Sequence, residues 1–201
     1  MTNLSTKGIQ AIINWETSGQ AYYKVHPIWP GAQSGVTIGV GWDLGHTSAT
    51  DTSRAWSPHL NAATLALLVS VSGRKGEAAS DVLPHVKHLV IPWESALSVF
   101  ENVTLPVWYM RTLRIYPQVV ELHGDCAAAL VGLVFNRGTS LSGERRREMS
   151  NIQALLRTGN LKEIPKQIRE MKRLWPDLQG LRNRREKEAD LFESGLVPAG
   201  E

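Results

Sequence analysis

The sequence predicts an α+β protein that is mostly α. A small strand-bearing lobe occupies about residues 1–60, and a larger all-helical lobe occupies about residues 61–201. Two observations lead here. Residues 35–45 alternate apolar and polar or glycine positions in the manner of a strand. From about residue 60 onward the apolar positions recur at helical spacing, with Gly and Pro between the runs. At 201 residues the chain is long enough to bury a proper core, as one domain or as two closely packed lobes.

Each element follows from its residues. Ser5 or Thr6 can cap a first helix, Ile9, Ile12 and Ile13 form its inward stripe, and Gly19 can end it. Residues 20–34 are rich in aromatic side chains, Pro and Gly (Tyr22, Tyr23, His26, Pro27, Trp29, Pro30, Gly31), which predicts an ordered loop. In the strand that follows, Val36, Ile38, Val40 and Trp42 point one way, and Thr37, Gly39, Gly41 and Asp43 the other. Asn61 to Val71 is apolar nearly throughout. Pro92 suits the first position of a long helix, which Pro106 should kink or break. Pro117 to Phe135 is the most apolar helix and the predicted centre of the larger lobe. After a Gly138–Gly143 turn, amphipathic segments at about 144–157, 161–174 and 179–194 are separated by Gly159-Asn160 and Pro176.

Bulk properties narrow the classes. Net charge is only +3, but more than half of the 22 Lys and Arg residues fall in residues 143–193, where they outnumber the acids. That half is positive and suits an anionic polymer. A lone cysteine, Cys126, excludes an internal disulfide and reads as a small core residue. The first residues lack the charged-then-apolar layout of a signal peptide. No apolar run approaches the roughly 20 residues that span a bilayer. The expectation is a protein made in the cytoplasm in reducing conditions, and released or delivered if it acts elsewhere.

The candidate chemistry begins at Glu16. It occupies the i+7 position of the stripe that starts at Ile9, where a charge is costly unless it is paired or protonated. A carboxyl group kept protonated near neutral pH suits a general acid. Asp43 is a second carboxylate, in a setting that glycines and Thr37 leave open and polar. Two carboxylates in contrasting settings suit hydrolysis of a glycosidic bond. Gly39 and Gly41 would let a sugar ring lie close to the backbone. A straight strand would hold Thr37 and Asp43 about 20 Å apart. They can share a site only if the chain bends, and Gly39 or Gly41 is where it would bend. Taken singly, Glu16 also reads as a helix-end residue emerging into water, and Asp43 as turn chemistry.

Taken together, Glu16 and Ser34-Gly-Val-Thr-Ile-Gly-Val-Gly-Trp-Asp-Leu-Gly45 resemble the active-site region of phage-type lysozymes, a helix ending in Glu followed by a hairpin. The order Glu, Thr, Asp resembles the pesticin-type lysozyme (muramidase) domain. Ala129 to Gly138, with Phe135-Asn-Arg-Gly138, is similar to the family's central helix and the turn that follows it. Gly180 to Phe192 is similar to its closing helix. Residues 46–125 match nothing in the family.

The resemblance implies a single lysozyme-like domain with a β-hairpin in the smaller lobe. It implies Glu16 as proton donor, Asp43 as the carboxylate that steadies positive charge or orients water, and Thr37 as a holder of that water. Gly39, Gly41, Asn136, Arg137 and His46 are the candidate substrate contacts, although Asn136-Arg137-Gly138 also reads as a helix cap and His46 as a turn histidine. The implied substrate is the bond between N-acetylmuramic acid and N-acetylglucosamine in peptidoglycan glycan strands, cleaved with no metal or organic cofactor. A monomer is expected, acting in the periplasm or cell wall, with a holin, a secretion system or an immunity protein as conceivable partners.

Rival readings remain beside this one. A lytic transglycosylase would use Glu16 alone. A cell-wall-binding protein would leave both carboxylates idle. Nucleic-acid binding is disfavoured, because Glu144, Glu148, Glu186 and Glu188 interleave Arg145–Arg147 and Arg182–Arg185, the pattern of solvated helix faces. His85 and His88 have the spacing of two metal ligands, with Asp81 a conceivable third, but read better as a surface pair.

Overall fold

A computed structural model describes residues 2–197. Among the described residues the protein is mostly helical, with one two-stranded antiparallel sheet. In chain order the elements are α1 (Thr6–Thr17), β1 (Thr37–Ile38), β2 (Trp42–Asp43), α2 (Ala49–Trp56), α3 (Ala62–Ser70), α4 (Glu77–Val86), α5 (Trp93–Val99), α6 (Leu105–Ile115), α7 (Gly124–Arg137), α8 (Arg147–Thr158), α9 (Ile164–Glu170) and α10 (Gln179–Ser194). No helix among the described residues is long and apolar enough to cross a membrane.

The chain divides into two compact units, and the division does not fall near residue 60. One unit is Glu16–Leu105, and the other combines Met1–Trp15 with Pro106–Glu201. The reason is packing: α2, α3, α4 and α5 associate with one another and with the hairpin, so residues 61–105 belong with the sheet.

In the 16–105 unit the hairpin sits on aromatic residues. Val36, Ile38, Val40 and Trp42 are all buried, as the alternation requires. Trp42 meets the fully buried Trp56 of α2 edge to face at 6.1 Å. Backbone bonds from Gly73 N to Leu44 O (2.8 Å) and from Gly76 N to Ser34 O (3.0 Å) tie the hairpin to the α3–α4 connection. The 20–34 loop is ordered by Ile91 N donating to Val25 O at 2.8 Å and by Tyr23 packing on Trp93 at 5.1 Å. Asn61 caps α3 by accepting from Thr64 N at 2.9 Å. The helix expected to start at Pro92 starts one residue later. It passes into a π-helical turn over Phe100–Thr104 just before Pro106, whose missing N–H cannot continue the α ladder.

In the other unit α7 is the core. Every residue from Asp125 to Val134 is buried, so α7 is the centre of this unit, although α3 is the more apolar helix by composition. The expected 117–135 helix is broken, however: Pro117–Glu121 forms a 3-10 turn, and α7 begins at Gly124 with the His123 ring accepting from Asp125 N. Ser5 caps α1, its Oγ accepting from Gly8 N at 2.9 Å. Gly8 and Gly132 let α1 lie close to α7. A Cβ at Gly8 would stand 2.2 Å from Ala128 Cβ, and one at Gly132 would stand 2.6 Å from Trp15 Cζ3. α10 packs on α7 and α9, and α8 packs on α9. Cys126 is buried with its thiol donating to Phe192 O at 3.2 Å, and burial pushes the thiol pKa up to about 12.

Candidate active site

Glu16 lies in the last turn of α1. Ile12 and Ile13 of the same stripe are fully buried, but Glu16 is only partly so, because the helix ends here. Ser18 (φ 61°) and Gly19 (φ 93°) turn the chain out of the helix. A cavity of about 440 Å³ opens at this point, within the 16–105 unit. Its size falls in the range of small-ligand sites, roughly 300–1,000 Å³.

Three segments line it. The helix end supplies Glu16, Thr17 and Ser18. The loop supplies Tyr22, Tyr23, Lys24, His26 and Ile28. The hairpin supplies Thr37, Ile38, Gly39 and Gly41. Glu16 and Thr37 therefore share one opening, as do both candidate glycines.

The hairpin reverses at Gly39-Val40-Gly41, and both glycines have positive φ (57° and 71°), a region that favours glycine. The single strand expected over residues 35–45 is therefore two short strands, with the bend at the glycines where the sequence permitted one. The bend places Thr37 directly opposite Asp43, and Ile38 opposite Trp42. Thr37 N donates to Ile28 O at 2.7 Å, and Ile28 N donates to Thr37 O at 3.0 Å, on the other side of the strand. The Thr37–Asp43 pair is therefore a non-hydrogen-bonded one, the closer of the two antiparallel types, with Cα atoms about 4.5 Å apart.

Asp43 nevertheless spends its carboxylate on the backbone. Oδ1 accepts from Gly45 N at 2.8 Å and from Gly35 N at 3.0 Å, and Oδ2 lies 3.2 Å from Gly35 N. Gly35 and Gly45 are required for this. A Cβ on Gly35 would stand 2.1 Å from Gly45 N and 2.5 Å from Asp43 Oδ1. Asp43 is not among the residues lining the cavity. The open, polar surroundings expected for it are in fact a cradle of two amides.

Gly39 has a further role. A Cβ there would come within 2.8 Å of Trp56 Cη2, so its missing side chain makes room for a core ring as well as bordering the cavity.

The remaining candidates are not among the residues that line the cavity. His46 is exposed, its Nε2 donating to Gln33 O at 3.2 Å, and does not line the cavity. Asn136 and Arg137 belong to the other unit. Asn136 Oδ1 accepts from Arg185 Nη2 at 3.0 Å. Arg137 donates to Arg145 O at 2.5 Å and lies over the Trp175 ring at 4.8 Å. Burial, then the charges of Arg146, Arg185 and Arg145, lower its pKa to about 10. Gly138 closes α7, its N–H donating to Val134 O at 2.7 Å, so the helix-cap reading describes this turn well.

The interleaved arginines and glutamates are not all solvated, which corrects that expectation. Arg185 and Glu188 are fully buried, Arg184 is 9% exposed, and Glu148 is buried too. Arg184 Nε and Arg185 Nη2 both donate to Glu188 Oε1, at 3.0 and 2.8 Å, while Arg184 Nη2 donates to Gly132 O at 3.1 Å. The two guanidinium groups lie over Trp15 and Trp175. Because α10 packs on both α7 and α9, two of its faces are covered, and its charges must pair. Arg169 pairs with Glu186, Asp190 and Glu193, and Arg173 pairs with Glu144 and Glu148. Much of the positive charge of residues 143–193 is thus taken up internally.

Among the described residues no group of three or more His, Cys, Asp or Glu side chains has the geometry of a metal site. No protein-family model matches the chain, and no curated protein matches it significantly.

The loop residues Tyr22, Lys24 and His26 are the lining groups that pattern reasoning left undecided. The aromatic, Pro- and Gly-rich composition of residues 20–34 was the available signal, and by itself it marks an ordered loop rather than a cavity wall.

Proposed function

We propose that the protein is a peptidoglycan hydrolase, a muramidase related to the pesticin-type branch of the phage-type lysozymes. The observation that supports this most is the shared cavity: Glu16 at a helix end and Thr37, Gly39 and Gly41 on a hairpin border one opening of ligand size. Those residues are also the ones that carry the sequence resemblance.

In this reading Glu16 protonates the glycosidic oxygen. Thr37 presents a hydroxyl that can hold a water molecule. Asp43 is the direct cross-strand partner of Thr37, so its negative charge favours the positive charge that develops on the sugar. Tyr22 is 70% exposed at the cavity wall and offers a flat ring to a sugar face.

The test is a turbidity assay on purified peptidoglycan. The parent protein is expected to clear it, and Glu16→Gln, which keeps the side-chain size and removes the acid, is expected not to. Unchanged clearing by Glu16→Gln would overturn the general-acid assignment, and a parent protein that fails to clear peptidoglycan would leave only a cell-wall-binding role for this fold.

One observation favours a second reading. The Asp43 carboxylate is held by Gly35 and Gly45 and does not line the cavity. A site with a single acid suits a lytic transglycosylase, which cleaves without water. Reducing sugar ends in the product support hydrolysis, and anhydro ends support transglycosylation.

A further inference from the structure

Hydrolysis needs a group that takes a proton from the attacking water, and the cavity offers few. Lys24 carries an ammonium, which only donates. Tyr23 donates its hydroxyl to Ile91 O at 3.1 Å, and burial holds its phenol well above the ordinary range, so it stays protonated. Thr17, Ser18, Tyr22 and Thr37 offer hydroxyls, which are not bases at neutral pH. Glu16 is already assigned as the donor. His26 remains.

The His26 ring is fixed in the right state for the task. Its Nδ1 lies 2.9 Å from Leu89 O. A carbonyl oxygen only accepts, so Nδ1 carries the proton. In the neutral ring Nε2 then holds a lone pair. The residue is exposed and borders the cavity, so water reaches it. The Leu89 contact joins the 20–34 loop to the segment after α4, and Ile91 N to Val25 O makes a second tie beside it. The imidazole is therefore held from two neighbouring points of one strut rather than hanging from a free loop.

We propose that His26 is the proton acceptor for the attacking water in the Glu16 cavity, an assignment that rests on the glycan-hydrolase reading above. The step balances. The bond between the anomeric carbon and the glycosidic oxygen breaks with its electron pair going to that oxygen, which takes the Glu16 proton. The water oxygen bonds to the anomeric carbon, and one water proton passes to His26 Nε2. The products are an alcohol and a hemiacetal. The imidazolium then returns its proton to the Glu16 carboxylate through solvent. Thr37 and Asp43 keep the water-holding and charge-steadying roles.

The experiment uses the full-length protein on purified peptidoglycan, with released reducing ends as the readout. His26→Asn keeps a donor near the Nδ1 position for Leu89 and removes the second ring nitrogen. His26→Ala removes the ring. Both are expected to lose about 10²–10⁴-fold in turnover, with unchanged pelleting on peptidoglycan, and His26→Asn with an unchanged Tm. Added imidazole is expected to restore turnover in His26→Ala and not in Glu16→Gln. Parent-like turnover in His26→Asn overturns the assignment. So does a loss in His26→Ala that tracks a fall in Tm and that imidazole does not restore. A parent protein that releases only anhydro ends overturns the role of His26 and leaves glycan cleavage standing. A parent protein that leaves peptidoglycan intact overturns the hydrolase reading itself.

Discussion

Thr37 and Asp43 face each other across the hairpin, yet only Thr37 borders the cavity that Glu16 lines. The carboxylate of Asp43 reaches along the strand to the amides of Gly35 and Gly45 instead. Asp43 thus holds the open end of the hairpin, while Gly39 and Gly41 turn the closed end.

That arrangement makes Asp43 a stability residue whatever its electrostatic role. Asp43→Ala leaves two partly buried amides without their acceptor and is expected to cost about 1–3 kcal/mol. Asp43→Asn keeps one acceptor oxygen and should cost less. Urea denaturation of the two variants checks this. Equal stability of Asp43→Ala and the parent would mean that water replaces the carboxylate without loss.

The same contact forbids side chains at both of its glycines. A Cβ on Gly35 meets Gly45 N at 2.1 Å, and a Cβ on Gly45 meets Arg74 O at 2.5 Å. These neighbours are backbone and cannot swing aside. Gly35→Ala and Gly45→Ala are each expected to cost about 1–3 kcal/mol or more. Gly73→Ala is the companion measurement. Its Cβ would meet nothing within 4 Å, so any penalty there comes from its φ of 81° alone. A thermal melt that ranks Gly73→Ala worse than Gly35→Ala would contradict the close-contact account.

Much of this was legible in advance, and the reasons differ by residue. The α1 stripe and the burial of Val36, Ile38, Val40 and Trp42 follow from spacing alone, because each periodicity has one sheltered side. The bend at Gly39 and Gly41 was permitted by the sequence and not fixed by it: glycines make a bend easy there, but the same residues also fit a straight strand. The engagement of Asp43 was not legible. It depends on Gly35 standing opposite Gly45, a register that exists only once the hairpin has formed. Arg184, Arg185 and Glu188 misled for a related reason. Their i, i+3 and i, i+4 spacing is the same on a solvated helix as on one covered from two sides. Only the packing of α10 against both α7 and α9 tells the two apart.

Glu188 is the acceptor shared by two buried guanidinium groups. Glu188→Ala is expected to destabilise the protein by roughly 3–5 kcal/mol, because it leaves buried positive charge without that partner. Glu188→Gln keeps an oxygen for one arginine and should fall between. A urea midpoint for Glu188→Ala within error of the parent would show that the guanidinium groups find water or another acceptor.

Cys126 should be silent toward thiol reagents. It is buried, its thiol donates to Phe192 O, and burial holds its pKa near 12, so almost no thiolate exists at pH 8. A colorimetric disulfide reagent is expected to react with no thiol in the folded protein and with one in urea. Rapid labelling of the folded protein would mean that α7 and α10 separate readily at this point.

Acid should unfold the protein through two buried carboxylates, Asp125 and Glu148. Burial by itself would raise both pKa values. The Ser5, Ser194 and Lys7 donors around Asp125, and Arg173 with Arg147 around Glu148, outweigh burial and hold both below their ordinary values. In the unfolded chain the two groups take up protons near pH 4. Between there and the lower folded values the unfolded state binds more protons, so stability rises with pH across that window. The contribution is fully present above about pH 4 and is lost as pH falls through the folded values. The urea midpoint is therefore expected to be flat from pH 7 to about 5 as far as these two groups are concerned, and to fall below about pH 4. Arg173→Ala removes the guanidinium whose Nε donates to Glu148 Oε1 at 2.5 Å. It should lower stability at pH 7 and make the acid fall shallower. The same slope in Arg173→Ala and the parent would place the acid sensitivity on Asp125 or on other carboxylates.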